Sequence, residues 1–258
     1  MKIISWNVNS VRARKDQVLQ ILKEEDPDIL CLQETKVVDD HFPFDDFKKL
    51  NFFSYFKGIS AYNGVAILSK EKAEETSNFD FCNKKDARHL EIKVRDIYIS
   101  SIYIPAGGDE PEPKTNPKFK HKLSFLKELH FFLKKKQKDK VIMCGDFNIA
   151  PYEDDVWSHK NLINVVSHTK IERDELKKIA NDCGFIDTTR KFINPPSNVF
   201  TWWSYRSPNF EINNRGRRLD HIWASQPLSK NLKGAEILRY FRKNKRPSDH
   251  VPVSLEIE

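Results

Sequence analysis

No stretch of this 258-residue sequence stays apolar for anything near the ~18 residues that a bilayer-spanning helix needs. A helical membrane protein is therefore excluded. From Met1 the chain passes straight into strand-like Lys2 to Trp6 with no secretory or transit-peptide pattern, so a cytosolic location is expected. The four cysteines, Cys31, Cys82, Cys144 and Cys183, form no Cys-x-x-Cys pair and suit small core residues in a reducing compartment. No Gly/Ser/Pro linker divides the chain and no short period repeats in it. One domain over residues 1–258 is expected.

Hydrophobic residues at 39% suffice for a core, and charged residues make up 31% of the chain. The net charge of +7 and pI near 9.1 point modestly towards a polyanionic partner, because cationic side chains release counterions from a phosphate backbone. Seven Lys or Arg residues between Lys230 and Arg246 flank Tyr240 and Phe241, as a phosphate-contacting surface or as ordinary solvated charge. Acidic pairs such as Asp39-Asp40, Asp45-Asp46 and Asp154-Asp155 read as loop and helix-cap residues.

Hydrophobic spacing predicts a helix from Val11 to Glu25, strands over Asp28 to Leu32 and Phe52 to Phe56, and a short helix between them. Gly64 to Leu68, His89 to Val94 and Ile97 to Ile104 read as strands joined by hairpins. Pro105 to Lys118 is a proline-rich loop, and an amphipathic helix follows from Phe119 to about Lys135. Further elements are a helix near Glu172 to Cys183 and strands near Val199 to Trp203, Leu219 to Ala224, Gly234 to Tyr240 and Val251 to Ile257.

The chemistry gathers where strands end. Val141 to Cys144 is a buried strand that delivers Asp146 and Asn148 to one side and Phe147 to the other, by the alternation of an extended chain. Asn7, Glu34, Tyr103, Asp220 and the Ser248-Asp249-His250 turn lie at similar positions. An oxygen-rich set without cysteine suits a hard cation such as Mg²⁺, with Mn²⁺ a second candidate, and Glu34 is the strongest single ligand. A carboxylate beside His250 would raise its pKa and fix its tautomer, and Asp220 and Asp249 both compete for that place. Tyr103 is a phosphate contact or a packed strand aromatic.

Ser5-Trp6-Asn7-Val8-Asn9, Leu32-Gln33-Glu34-Thr35-Lys36, Tyr103-Ile104-Pro105, Gly145-Asp146-Phe147-Asn148-Ile149-Ala150-Pro151, Arg218-Leu219-Asp220 and Pro247-Ser248-Asp249-His250 are six motifs in order. Together they resemble the exonuclease III family of apurinic/apyrimidinic endonucleases, and Asn9 with Glu34-Thr35-Lys36-Val37 is most similar to its bacterial branch. The resemblance implies an α/β four-layered sandwich, with two mainly antiparallel sheets packed face to face and flanked by helices, the endonuclease/exonuclease/phosphatase fold. It implies a monomer of the bacterial cytosol or nucleoid that acts on double-stranded DNA carrying abasic sites or blocked 3′ ends. Glu34 resembles the principal metal ligand, assisted by Asn7 and, through solvent, Asp249. Asp146 resembles the group that activates water, Asn148 its partner on the water or phosphate, and His250 paired with Asp220 the stabiliser of phosphoryl charge, with Tyr103 on the same phosphate.

Phe200-Thr201-Trp202-Trp203 resembles the segment lining the abasic pocket, Trp202 at the matching position and Trp203 equally a core residue. Arg88, Lys118, Lys122 and Arg206 resemble positions that approach DNA phosphates. Arg217, also counted among the DNA contacts, departs from the pattern: many relatives carry a bulky apolar residue there, so the width of the pocket and the balance of endonuclease and exonuclease action turn on it. The segment from Gly107 to Pro117 is longer and richer in proline than in some relatives. A phosphoesterase of the same superfamily acting on inositol phosphates or phospholipids is the alternative implied.

Overall fold

A computed structural model of the chain describes residues 1–207 and 209–258. The first half contains β1 (Lys2–Asn7), α1 (Lys15–Glu24), β2 (Ile29–Gln33), α2 (Phe44–Lys48), β3 (Phe53–Lys57), β4 (Val65–Ser69) and β5 (Glu75–Ser77). After β6 (His89–Val94) and β7 (Ile97–Tyr103) come α3 (Pro117–Lys134), β8 (Val141–Asp146), α4 (His159–Leu162) and α5 (Lys170–Cys183). The chain closes with β9 (Phe185–Asp187), α6 (Thr188–Phe192), α7 (Phe210–Asn213), β10 (Asp220–Ser225), β11 (Leu232–Ile237) and β12 (Val253–Ile257).

The strands form two six-stranded sheets, one ordered β11-β12-β1-β2-β4-β3 and the other β5-β6-β7-β8-β10-β9. Each sheet has one parallel pair, β1 with β2 and β7 with β8, and is otherwise antiparallel. Those pairs are parallel because a helix, α1 or α3, carries the chain back between them. The sheets therefore read as mainly antiparallel, as expected, but the predicted hairpin series breaks after β4. That strand stays with β2 and β3, and the chain crosses to the second sheet before the β6–β7 hairpin.

Alternation sorts each strand between two cores. Ile3 and Cys31 join Ile67, Ile92, Ile99, Ile142 and Cys144 between the sheets, whereas Ile4, Leu30 and Leu32 face Val18, Ile21 and Leu22 of α1. On the far side, Leu126, Leu129 and Leu133 of α3 and Leu176 and Ile179 of α5 cover Val141 and Met143. The order is helix, sheet, sheet, helix. All four cysteines are free. Among the described residues no helix is long and apolar enough to cross a membrane.

Several elements differ from the sequence pattern. Helix α1 begins at Lys15 rather than Val11, because Asn9 and Ser10 turn through positive φ (46° and 89°) and the Val11 N–H is spent on the Thr35 carbonyl. Val199 to Trp203 is not a strand. The N–H groups of Thr201 and Trp202 both go to the Arg217 carbonyl, which breaks the alternation of a ladder, and Trp202 keeps only single bridges to Arg217 and His250. The expected strand to Tyr240 stops at Ile237, and Arg239–Lys243 turns as a 3₁₀ helix. The short edge strands β5 and β9 lack an apolar run to announce them.

Strand β8 continues through Gly145 to Asp146 where the sequence suggested an end at the glycine. At Gly145 φ is +152°, and an added Cβ would overlap the carbonyl oxygen of Ile102 on the paired strand. Only glycine lets β7 and β8 approach this closely next to Asp146. Gly145→Ala is expected to destabilise the protein by about 3 kcal/mol, read from the urea midpoint at unchanged m-value.

Candidate active site

The parallel pairs of both sheets end on the same rim, and their last residues carry the polar side chains. Asn7 ends β1, Glu34 follows β2, Tyr103 ends β7 and Asp146 ends β8. Glu34 sits at φ +51°, a left-handed backbone that costs a non-glycine residue and is typical of functional positions. Its Oε1 accepts from Asn7 Nδ2 at 2.9 Å and from the Tyr103 hydroxyl at 2.8 Å, and its Oε2 pairs with Lys36 Nζ at 2.7 Å. Burial alone would raise the Glu34 pKa, but the bonds from Asn7 and Lys36 outweigh it and hold the carboxylate below its ordinary range. Tyr103, buried beside Glu34 and Asp146, is pushed well above the usual phenol range and stays a neutral donor.

Asn7 spans the two sheets. The same Nδ2 that reaches Glu34 lies 2.9 Å from Asp146 Oδ2, and Asn7 Oδ1 accepts the Asn9 N–H at 3.0 Å. Asp249 stands outside this contact: its oxygens accept from Trp202 Nε1 and Asn9 Nδ2, both at 3.0 Å. Asn9 Oδ1 in turn accepts from Lys36 Nζ at 2.7 Å, so Asp249 is linked to Glu34 through two intervening side chains.

Asp146 and Asn148 share a face, with Phe147 packed on the opposite side against His221 and Trp223. Asp146 Oδ1 accepts the Asn148 N–H at 2.8 Å, which holds Asn148 at φ +53°. Asn148 Nδ2 is committed to the Ile104 carbonyl at 2.9 Å and to Asp146 Oδ2 at 3.2 Å. Between the carboxylates, the choice for His250 falls on Asp220: its Oδ2 lies 2.8 Å from His250 Nδ1. The other ring nitrogen, Nε2, lies 3.7 Å from Asp146 Oδ2. Burial would lower the His250 pKa, yet the charges of Asp220 and Asp146 reverse this and push it up to about 10. For Asp146 burial dominates in the other direction and raises the pKa to about 7, against the attraction of His250.

Two corners of this cluster bear on cation binding. Ligand atoms of Asp146, Asp220 and His250 lie within 4.8 Å of one another. However, a protonated imidazole has no lone pair to give, and Asp220 already receives the His250 proton, so this corner suits an imidazolium held between carboxylates. The Glu34 corner, ionised, oxygen-rich and free of thiolates, fits a hard divalent cation better.

Of the expected DNA contacts, Lys122 is a correction. It is fully buried on the inner face of α3, paired with Glu172 at 2.5 Å, and donates to the Ala106 and Asn148 carbonyls at 3.2 and 2.8 Å. It holds the site from beneath and does not reach a phosphate outside. Arg88 pairs with Asp86, donates to the Tyr103 carbonyl at 3.2 Å and lies 4.8 Å over the Tyr103 ring. Lys118 and Arg206 are exposed. Trp202 is half-buried beside Asp249, and the Arg217 guanidinium stacks 5.3 Å from its ring, while Trp203 is a core residue. Asp155, grouped by sequence with the caps, does cap its 3₁₀ turn by accepting the Tyr152 N–H at 3.1 Å, and it is also buried between Arg218 and Arg190 at 2.8 and 2.6 Å.

The residues without an assigned role in the sequence are Asn9, Lys36, Thr201 and Glu172. Thr201 Oγ1 donates to Asp220 Oδ2 at 2.6 Å and orients it. Three of these sit inside the motifs that announced their neighbours. Glu172 had a signal of its own, as the acidic third residue after Thr169 in a capping box.

Residues 4–250 match the model of the Endonuclease/Exonuclease/phosphatase family, the class that this two-sheet sandwich and its rim of carboxylates define. An exodeoxyribonuclease III from Haemophilus influenzae is 31% identical over 273 aligned positions, covering 100% of both chains. An AP endonuclease from Archaeoglobus fulgidus superimposes with a TM-score of 0.93 at 34% identity, over 100% of this chain and 99% of that one. The 3′ phosphatase NExo from Neisseria, solved with a product DNA hairpin, gives 0.94 at 30% identity over the same shares. The chain belongs to the exonuclease III family of apurinic/apyrimidinic endonucleases.

Lys122→Met should destabilise the protein by about 3 kcal/mol by stranding the Glu172 charge, and adding Glu172→Gln should recover much of it. Both are read by urea unfolding. Neither change should alter the salt dependence of duplex binding, as loss of a phosphate contact would.

Proposed function

We propose that this DNA repair nuclease hydrolyses the phosphodiester 5′ to an abasic site in duplex DNA, leaving a 3′-hydroxyl, and also clears blocked 3′ ends and degrades 3′ to 5′. It acts as a cytosolic monomer in which residues 1–258 form one domain, since the core between the sheets draws on both halves of the chain. The observation that carries the reading is the pairing of an Asp146 poised near neutrality with a His250 held protonated on the same rim. Relatives named for DNA at this similarity disfavour the inositol-phosphate or phospholipid alternative.

In-line attack on a phosphodiester needs a base near the water, donors on the equatorial oxygens and a fixed direction of approach. Asp146, with a pKa near 7, takes the water proton most effectively around neutral pH. Asn148 spends its amide hydrogens on Ile104 and Asp146, which leaves Oδ1 to accept the other water hydrogen. His250, its Nδ1 proton held by Asp220, turns Nε2–H towards the charge that develops on phosphorus-bound oxygen. Glu34, with the remaining lone pair of Asn7 Oδ1 and Asp249 through solvent, would hold the divalent cation, which supplies charge neutralisation at the phosphate. Trp202 borders the space for the sugar turned out of the duplex.

A 5′-labelled duplex with one abasic analogue should be nicked once with Mg²⁺ and left intact with chelator. Asp146→Asn should lower that rate by about 10²-fold or more. Nicking by Asp146→Asn at the wild-type rate, or turnover of an inositol phosphate with DNA untouched, would overturn the reading. The pH profile should be bell-shaped. The rate rises as Asp146 loses its proton through about 7 and falls as His250 loses its own through about 10. Asp220→Asn removes the charge that raises the His250 pKa and should move the alkaline limb to lower pH.

A further inference from the structure

Strand β3 ends its sheet with one side open. Among the described residues, Phe53 to Lys57 bond through the backbone only to β4, so the N–H and C=O groups that alternate to the outer side have no partner. Beside that edge lies a groove of about 650 Å³ between β3 and α2, whose lining includes Phe44, Lys48, Phe52, Phe53, Phe56 and Lys70. Phe44 and Lys48 stand one turn apart on α2 and therefore share a face. Phe44 and Phe53 are 44% and 46% exposed, which leaves two aromatic rings in water next to unpaired backbone. That combination invites an added strand.

The charge around the groove selects what would be added. A second hollow shares Asn51, Phe52 and Lys70 with it and extends to Lys23 in the last turn of α1. Lys23 and Lys48 are exposed and pair with no carboxylate among the described residues, and Lys70 pairs only with Asp26, whose side chain is 77% exposed. A second copy of this chain would set the same lysines against one another, in a protein of net charge +7. A nucleic-acid strand would answer the lysines and stack on the rings, but it would leave the strand edge unpaired. Only an extended acidic peptide satisfies all three features, with main-chain bonds to the edge and alternate side chains in the groove. The strand register also places the groove. Phe53 lies beside Ser69 and Ile29, whereas Lys57 lies beside Val65 and Gln33, next to Glu34, so the Phe53 end is about 13 Å along the strand from the rim.

We propose that the groove between β3 and α2 docks an acidic, extended segment of a partner protein, which adds as a strand to β3, seats apolar side chains against Phe44 and Phe53, and sets its carboxylates on Lys23, Lys48 and Lys70. A partner held there tethers the enzyme while the rim of Glu34 and Asp146 stays open to DNA.

The probe is a fluorescein-labelled peptide in which phenylalanine and leucine alternate with aspartates, read by anisotropy against the full chain. It should bind saturably and slow amide exchange over residues 53–57. Exchanging its aspartates for lysines, or methylating the backbone nitrogens of its pairing edge, should weaken binding about tenfold or more. Lys23→Glu with Lys48→Glu should cost a similar factor, and so should Phe53→Ser, each at an unchanged urea midpoint. Cleavage of an abasic duplex by Phe53→Ser should match the wild type, so the docking and the chemistry are read separately. No binding to the wild-type chain, equal binding of the lysine peptide, or undiminished binding to the variants overturns the proposal. Displacement of the peptide by an oligothymidylate assigns the groove to nucleic acid, and dimerisation abolished by Phe53→Ser assigns it to a second copy. Either result overturns the proposal as well.

Discussion

One side-chain amide joins the two sheets at the point where the chemistry lies. Asn7 Nδ2 sits 2.9 Å from Glu34 on its own sheet and 2.9 Å from Asp146 on the other. Without a shared donor, two carboxylates brought this close would repel, and burial would protonate one of them. With it, Glu34 remains ionised while Asp146 is left near neutrality, so two acids of the same rim divide into a charged carboxylate and a titratable one. The rest of the site extends this division. Tyr103 and Lys36 complete the shell of Glu34, and His250 with Asp220 and Thr201 completes that of Asp146.

The parts of the fold that a chain of apolar residues announces were legible. The strands from Val141, from Ile97 and from Lys2 declare themselves by their buried runs, and their polar last residues meet on one rim. Edge strands β5 and β9, three residues each, carry too little pattern to be seen. Val199 to Trp203 has the composition of a strand, but its N–H groups are drawn to Arg217 and Asp249, so tertiary demand overrides propensity. Lys122 misled by its chemistry and not by its position. It falls three residues after Phe119 and four before Leu126, on the buried stripe of α3, and the spacing alone would have put it inside.

Choosing Asp220 over Asp249 as the partner of His250 was beyond sequence spacing for a related reason. Asp249 is the chain neighbour, but adjacent residues in an extended segment point to opposite sides. Asp220 comes from β10, which pairs with β8 in register at Asp146, so the sheet itself sets Asp146 and the histidine's partner side by side. The His250 backbone bridge to Trp202 then turns the imidazole inward and leaves Asp249 to Trp202 and Asn9.

The seam position of the site also makes turnover a gauge of how the sandwich is held together. Glu34 and Asp146 belong to different sheets, which are joined beside them by the packing of two apolar faces and a few side-chain bonds, from Asn7 to Asp146, from Tyr103 to Glu34 and from Gln33 to Ser101. A small slide of one sheet over the other, too slight to expose the core, would separate Glu34 from Asp146 while every strand stayed paired. Activity in such a protein would fade ahead of the loss of secondary structure, and the interval between the two would measure the stiffness of the interface rather than the stability of either sheet.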